Sequence, residues 1–227
     1  MSQFSSIRAI AAAVFLIIAA AAHANPVLVQ NAFANAATEA TVATAGGPNT
    51  GTFRVGEFTG TVDGATFLSY CIDLAQHFSF GSAYTNYVAG SGVSALGATK
   101  ATQIGELLTA AGGFALSTAS KSAALQGGIW EILYETSSSL ALGGGSFTIK
   151  PGTVLAADLT VVDGYLAHLG SYAPMSFTAY VSPTQQDFIT ANRLNTIAAN
   201  SVPEPSSLAL VACGLAGAAG VARRSRR

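Results

Sequence analysis

Between Val27 and Leu74, apolar and polar residues alternate in short runs that turn residues interrupt. The run TFRVGEFTGTV from Thr52 shows the period of two that is typical of β-strands with one buried face, and its glycines mark bulges or turns. Asp63-Gly64 is typical of a tight β-hairpin. The strand after this turn, ATFLSYCIDL, therefore carries Cys71 near its end.

The apolar period then lengthens to that of helices. Apolar residues recur every three or four positions from Gly97 to Gly113, and again from Thr118 to Thr136. The two segments predict a helical hairpin, and a third short helix is expected over residues 156–169. The residues expected on the buried faces of the hairpin are Ile104, Leu107, Leu108, Ala111, Leu125, Ile129, Ile132 and Leu133.

Strand patterns return after the helices, in GSFTIKPG, MSFTAYVSP and QQDFITA. Strands on both sides of a helical segment indicate the α+β class. We expect a mainly antiparallel β domain, sandwich or barrel-like, with a small inserted helical subdomain over residues 25–200.

The N-terminus has the three parts of a secretory signal peptide. Arg8 supplies a positive charge, an apolar run extends from Ala9 to Ala22, and Ala22-His23-Ala24 provides an A-x-A cleavage site. We expect residues 1–24 to be removed after Ala24 and the mature protein to be exported.

The C-terminus joins a Pro-Glu-Pro tripeptide, an apolar stretch and a basic end. Pro203, Glu204 and Pro205 precede the stretch from Leu208 to Ala222, and four arginines follow it. This order resembles the PEP-CTERM sorting signal, here over residues 201–227. The stretch is weakly hydrophobic and slightly short for a comfortable bilayer span.

The resemblance implies that the tail is a transient transmembrane anchor in the inner membrane of a Gram-negative bacterium, with the arginines on the cytoplasmic side. It also implies removal of the tail by an exosortase-type membrane protease. The protein would then reach the cell surface or the extracellular matrix. A permanent single-pass anchor is the alternative, and it leaves the same domain outside.

Charge excludes one class of partner. Residues 25–200 contain five Lys or Arg and ten Asp or Glu, which gives this region a net charge of −5 although the whole chain has −1. Proteins that bind nucleic acid present basic patches to the phosphates, and the five basic residues of this region form no such patch. We therefore expect no nucleic-acid partner.

Cys71 is the one cysteine between the terminal segments, because Cys213 lies in the C-terminal apolar stretch. It occurs in YCID, and Gln126 follows 55 residues later in LQGGIWE. These motifs resemble those of the thioester domains of bacterial surface adhesins, in which an aromatic-Cys-apolar-acid motif meets a Gln-x-small-apolar-Trp motif.

The resemblance spans Thr52 to Asp187 and includes the element SPTQQD at its end. This chain differs in having Leu125 and Gly128 where Thr and Ala are common. The resemblance implies an internal Cys71–Gln126 thioester that an amine or hydroxyl on a partner surface would attack. It implies single-use adhesion or matrix attachment in a biofilm setting, with no enzymatic turnover, cofactor or metal.

A carboxamide is a poor electrophile, so such a bond requires the sulfur to be held about 3–3.5 Å from the carbonyl carbon. Gln126 on a helix packed against the strand of Cys71 would provide this. Trp130, one helical turn later, would cover the bond against water. Other candidate supporting residues are Tyr70 and Asp73, through hydrogen bonds, and Gly127 and Gly128, by leaving room for close packing.

Three alternatives remain open. Cys71 can be an inert buried residue of a non-covalent structural component of the extracellular polymer matrix. It can form an intermolecular disulfide. It can also act as a catalytic nucleophile with His77 or His168, although no signature surrounds either histidine. The few histidines and the lone cysteine show no zinc-type ligand spacing.

Overall fold

The computed structural model describes residues 25–36, 38–45, 50–112, 118–151 and 156–191. The expected signal peptide with its cleavage site at Ala24, the tripeptide Pro203-Glu204-Pro205, the apolar stretch from Leu208 to Ala222 and Cys213 lie outside these residues.

The described residues form ten strands and four helices. In chain order they are β1 (Leu28–Phe33), β2 (Thr38–Thr44), β3 (Gly51–Val55), β4 (Phe58–Val62), β5 (Ala65–Cys71), β6 (Ala83–Tyr84), β7 (Val88–Ser91), α1 (Gly92–Leu96), α2 (Ala98–Ala111), α3 (Ala119–Tyr134), β8 (Phe147–Pro151), α4 (Ala156–Leu166), β9 (Phe177–Val181) and β10 (Phe188–Ala191).

Within the described ranges the strands make two sheets. The larger has the order β6-β1-β4-β5-β10-β9-β7, and the smaller has the order β3-β2-β8. Every pairing among these strands is antiparallel. Strand β5 lies in the middle of the larger sheet, between β4 and β10. Cys71 therefore ends a central strand.

The hairpin expected at Asp63-Gly64 is confirmed. Val62 pairs with Ala65, which leaves a two-residue turn between β4 and β5. The φ angles of Asp63 and Gly64 are 51° and 82°. Two consecutive positive φ angles give the turn the twist that matches the flanking strands.

The predicted helices are present, with ends that follow local chemistry. Helix α2 ends where Gly112 caps the carbonyls of the last turn, and α3 begins where the Thr118 side chain accepts the Lys121 N–H. The residues expected to face the core in α2 are all buried. The helix expected over residues 156–169 is α4, which ends at Leu166, and turns continue to residue 170.

Helix α3 is buried on all sides, which its sequence pattern does not predict. Residues 122–132 are all buried, because α3 packs against α2 and α4 as well as against β2 and β8 of the smaller sheet. Antiparallel sheets with helices confirm the α+β class; the sandwich or barrel-like arrangement stays a prediction.

No helix in the described part of the chain is sufficiently long and apolar to span a bilayer.

Candidate functional site

Cys71 is buried at the end of β5. It is opposite Phe188 of β10, and the next residue, Ile72, donates its N–H to the Asp187 carbonyl at 3.0 Å. The side chain of Cys71 is 6% exposed and its thiol is free. Burial, with a smaller contribution from the Asp73 carboxylate, raises the pKa of the Cys71 thiol well above its ordinary value. The free thiol is therefore protonated at neutral pH.

Gln126 is bound to Cys71 through its side-chain amide. The Cys71 N–H donates to Oε1 of Gln126 at 2.9 Å, and Nε2 of Gln126 donates to the Cys71 carbonyl at 2.7 Å. Gln126 is only 1% exposed. A neighbouring strand residue would make the same pair of bonds. The carboxamide therefore extends the β-ladder by one position and is fixed against Cys71.

The place that Gln126 occupies is free because β4 begins too late to fill it. The pairing of β4 with β5 ends at Phe58 and Ser69, and the preceding chain turns at Gly56, whose φ is 140°. A side chain at Gly56 would lie 3.1 Å from Oγ of Ser122 in α3. Glycine at this turn therefore allows α3 to approach the edge of the sheet closely enough for Gln126 to reach it.

One face of α3 makes the contacts with the end of β5. Every fourth residue from Ser122 to Tyr134 lies on this face, and Gln126 is its second member. The Tyr134 hydroxyl accepts the Leu74 N–H at 3.0 Å and donates to the Ile72 carbonyl at 3.3 Å. The chain around Cys71 is therefore held to α3 by two side chains that are two helical turns apart.

Trp130 occupies the position between these two contacts. It is 4% exposed, and its ring packs edge-on against Phe53 with the ring centroids 6.3 Å apart. Trp130 and Cys71 line the same pocket, whose volume is about 300 Å³. The structure thus brings together Cys71, Gln126 and Trp130 from the two sequence motifs.

The pocket is largely aromatic and carries few charges. Arg54, Asp73 and His77 are the charged or titratable residues at its wall besides Cys71. The guanidinium of Arg54 lies 5.2 Å from the centre of the Phe33 ring. The aromatic rings that line the pocket beside Trp130 are Phe33, Phe53, Phe58, Phe78 and Phe80.

Asp73 orders the turn that follows Cys71. Its carboxylate accepts the Ala75 N–H at 2.7 Å, and its carbonyl accepts a hydrogen bond from Nε2 of Gln186. Gln186 also lines the pocket. The SPTQQD element therefore reaches the site through Gln186.

Tyr70 points away from the pocket, because successive residues of a strand alternate between its faces. Its hydroxyl faces the Glu57 carboxylate, outside the geometry of a good hydrogen bond. Burial raises the pKa of Glu57 to about 7, although the Tyr70 hydroxyl acts to lower it. The Tyr70 hydroxyl has no hydrogen-bond partner among the described residues, so it makes no bond to Gln126.

Gly127 and Gly128 have a different role from the expected one. A side chain at Gly128 would lie 2.7 Å from Val162 of α4 and 3.0 Å from Leu107 of α2. One at Gly127 would lie 3.0 Å from Ile149 of β8. Successive helical residues are rotated by about 100° around the helix axis. Gly127 and Gly128 therefore do not lie on the helix face that carries Gln126. They make room for neighbouring elements instead of for the approach of Cys71.

The two histidines outside the signal peptide lie apart from each other. His77 is exposed and lines the pocket that Cys71 also lines. His168 is exposed beyond the end of α4, where its Nδ1 lies 2.7 Å from the Gly164 carbonyl. His77 is therefore the histidine that shares the site.

Sequence reasoning missed Tyr134 and Gln186. The spacing of Tyr134 from Gln126 and Trp130 is a usable signal, because residues four apart share a helix face. Gln186 belongs to the SPTQQD element, but nothing in that element distinguishes it from Gln185; it reaches the site because β10 pairs with β5.

Comparison with known proteins identifies the C-terminal segment. Residues 201–227 match the sequence profile of the PEP-CTERM protein-sorting motif. No curated protein and no solved structure matches the chain. The chain therefore carries the PEP-CTERM motif, which is the mark of exported proteins that the membrane protease exosortase sorts in Gram-negative bacteria.

Proposed function

We propose that Cys71 and Gln126 form an internal thioester through which the exported protein attaches covalently to an amine or hydroxyl on a partner surface. The observation that carries the proposal is the pair of hydrogen bonds between the Gln126 carboxamide and the Cys71 backbone. It holds an electrophile beside the lone thiol of the domain, in a buried place.

Formation of the bond is a substitution at the Gln126 carbonyl carbon. The Cys71 sulfur bonds to this carbon, the carbon–nitrogen bond breaks, and the thiol proton leaves with the nitrogen as ammonia. The carboxamide lies in the plane of the sheet, whereas a strand side chain leaves that plane. The sulfur therefore approaches a face of the carbonyl group.

The hydrogen bonds favour this step. The Cys71 N–H points at Oε1, where negative charge develops in the tetrahedral intermediate, and such a preorganised donor lowers the barrier. Fixing the reactants also replaces a bimolecular encounter by an intramolecular one.

The surroundings favour survival of the thioester once it is formed. Burial destabilises the thiolate that hydrolysis must release, as the raised pKa of Cys71 indicates, but it does not penalise a neutral thioester. Trp130 and the aromatic pocket wall restrict water near the bond. The bond is then stored until a nucleophile enters the pocket.

Attachment is a second substitution at the same carbon. An amine nitrogen or hydroxyl oxygen bonds to the Gln126 carbonyl carbon and the carbon–sulfur bond breaks. The proton of the nucleophile ends on the Cys71 sulfur. The products are an amide or ester at position 126 and a free thiol, so each molecule reacts once and anchors itself to a surface or matrix.

The test is the intact mass of the purified protein before and after incubation with methylamine. We expect a mass short by one ammonia, which then rises by one methylamine while one thiol becomes reactive. Peptide mapping should place the cross-link between Cys71 and Gln126. The variants Cys71→Ala and Gln126→Glu should both lack the ammonia deficit, and Gln103→Glu in α2 should keep it.

A full mass with no methylamine adduct, and with Gln rather than Glu at position 126, would contradict the proposal. Cys71 would then be a buried structural residue, and the protein a non-covalent component of the extracellular polymer matrix. Glu at position 126 in the purified wild-type protein would instead report a thioester that had been hydrolysed.

A further inference from the structure

The proposed thioester requires the Cys71 thiol to lose its proton when the sulfur attacks the Gln126 carboxamide. Burial raises the pKa of this thiol well above its ordinary value, so the thiolate, which is the nucleophilic form, is scarce at neutral pH. A base that removes the proton while the carbon–sulfur bond forms makes a free thiolate unnecessary. Such a base has to lie beside Cys71.

The pocket that Cys71 lines contains one suitable carboxylate. The other charged or titratable residues at its wall are Arg54, Asp73 and His77. Arg54 cannot accept a proton, because its guanidinium stays protonated in proteins. The charge that acts on the Cys71 thiol, besides the larger effect of burial, is that of Asp73 and not that of His77. Asp73 is therefore the candidate base.

The backbone places Asp73 on the side of the chain that carries Cys71. Pairing with β10 continues past the end of β5, because the Ile72 N–H donates to the Asp187 carbonyl at 3.0 Å. Side chains two residues apart in an extended chain lie on the same side. The side chains of Cys71 and Asp73 both line the same pocket, as this alternation requires.

The Asp73 carboxylate has one oxygen engaged in the turn and one available. Oδ1 accepts the Ala75 N–H at 2.7 Å, and Oδ2 makes no hydrogen bond to another described residue. The backbone that carries this side chain is fixed on both sides. Nε2 of Gln186 donates to the Asp73 carbonyl, and the Leu74 N–H donates to the Tyr134 hydroxyl. Oδ2 is therefore a positioned acceptor beside the pocket.

We propose that Asp73 is the general base of thioester formation and accepts the Cys71 thiol proton as the sulfur bonds to the Gln126 carbonyl carbon. This role rests on the proposed thioester. The proton passes from the sulfur to Oδ2 of Asp73, directly or through one water molecule in the pocket. It then leaves with the nitrogen when the carbon–nitrogen bond breaks. Ammonia departs, and Asp73 is a carboxylate again.

The rate of ammonia loss during refolding tests the role. The chain is dissolved in urea before it has folded, with Gln126 intact, and its mass is followed after dilution. Asp73→Asn and Asp73→Ser both keep an acceptor for the Ala75 N–H, but neither side chain takes up a proton. Each variant should form the thioester at least about a hundredfold more slowly than the wild type. His77→Gln should react at the wild-type rate.

Alkylation of Cys71 by iodoacetamide at pH 7.5 separates a base from a structural residue. It is measured in the Gln126→Met background, which has no carboxamide to form a thioester. The Asp73 charge contributes to the raised pKa of the thiol, so Asp73→Asn removes a charge that disfavours the thiolate. Alkylation should therefore be as fast as in the parent or faster, although thioester formation is slower.

The proposal is overturned if both Asp73 variants form the thioester within about threefold of the wild-type rate, far less than the effect of a general base. It is also overturned if His77→Gln alone slows formation, or if Asp73→Asn slows alkylation as much as thioester formation, which would show a disturbed site. In each case the wild-type ammonia loss remains, so the thioester stands without this base. A wild-type chain that never loses ammonia contradicts the thioester itself, and the role of Asp73 with it.

Discussion

At the scale of single residues, the site depends on the Gln126 side chain, which makes the hydrogen bonds that a neighbouring strand would otherwise make. The Gln126 carboxamide supplies an acceptor and a donor to the two backbone groups of Cys71. A carboxylate supplies acceptors alone, so it satisfies the Cys71 N–H but faces the Cys71 carbonyl with a negative charge. The chemistry of position 126 therefore affects stability as well as reactivity.

In the Cys71→Ala background, where no thioester forms and the carboxamide stays intact, Gln126→Glu should lower the free energy of unfolding by about 1–3 kcal/mol at pH 8, through the lost bond to the carbonyl of residue 71. A protonated carboxyl can donate, so the loss should shrink as the pH falls toward 4. Urea unfolding at both pH values measures this, with Gln103→Glu as the control. An equal loss at both would contradict the assigned hydrogen bonds.

The thiol of Cys71 should react slowly when no thioester is present. Burial raises its pKa, and the thiolate is the reactive form. In methylamine-treated protein, alkylation by iodoacetamide should be slow at pH 7.5 and should accelerate up to and beyond pH 9. In urea the rate at pH 7.5 should rise by at least about tenfold, the factor for one pKa unit. A fast reaction in the folded protein at pH 7.5 would show an activated thiolate, which favours a catalytic cysteine.

At the scale of elements, side chains of α3 bind the backbone at the end of β5 and in the turn that follows it. Gln126 holds Cys71, and Tyr134 holds the backbone at Ile72 and Leu74. Gly128 faces the opposite direction and lets α2 and α4 pack closely. The helix therefore transmits the packing of the helical layer to the position of the carboxamide.

Tyr134→Phe should cost about 1–2 kcal/mol of stability, because it leaves the Leu74 N–H without its acceptor. It should also slow thioester formation, since the turn after Cys71 loses a contact with α3. Thermal unfolding and the rate of ammonia loss measure the two effects. Tyr172→Phe, in the turn after α4, is the matched control. Equal effects of the two changes would show that the Tyr134 hydrogen bonds contribute neither to stability nor to thioester formation.

At the scale of the whole molecule, buried carboxyl groups set the pH dependence of stability. Burial raises the pKa of Glu57 and of Glu131 to about 7. Tyr70 faces Glu57, and Glu135 and Asp163 face Glu131. Burial acts to raise the pKa of Glu135 as well, but hydrogen bonds from Ser137, Phe147 and Ser146 lower it to about 2.

The signs of these shifts predict a stability maximum near pH 4–5. Between pH 4.5 and 7 the unfolded chain releases protons that folded Glu57 and Glu131 retain, so stability falls as the pH rises. The contribution of Glu135 is lost as the pH falls toward 2. Glu57→Gln should therefore raise stability at pH 8, by up to about 3 kcal/mol, and change it little at pH 4.5.

Urea unfolding at pH 3, 4.5 and 8 checks this prediction, with Glu39→Gln on the exposed face of β2 as the control. A wild-type protein more stable at pH 8 than at pH 4.5 would contradict the assigned burial of both carboxyl groups.

Local patterns were sufficient for much of the fold. The Asp63-Gly64 turn is confirmed because two residues with positive φ close a hairpin without help from the rest of the chain. The buried residues of α2 are confirmed because that helix has one face in the core and one outside. The complete burial of α3 was not predictable, since α2, α4 and all three strands of the smaller sheet pack against it.

The sequence by itself determined the strands and helices, the export and sorting motifs at the ends, and the pairing of Cys71 with Gln126 as candidates. Only the tertiary structure decided that the Gln126 carboxamide binds the Cys71 backbone, that the two glycines face other elements, and that Trp130 and Gln76 share a pocket with Cys71. The physical reason is the sequence separation over which each interaction acts. Turns, caps and periodicity act between near neighbours, whereas a helix approaches a strand 55 residues away only after both have packed into one core.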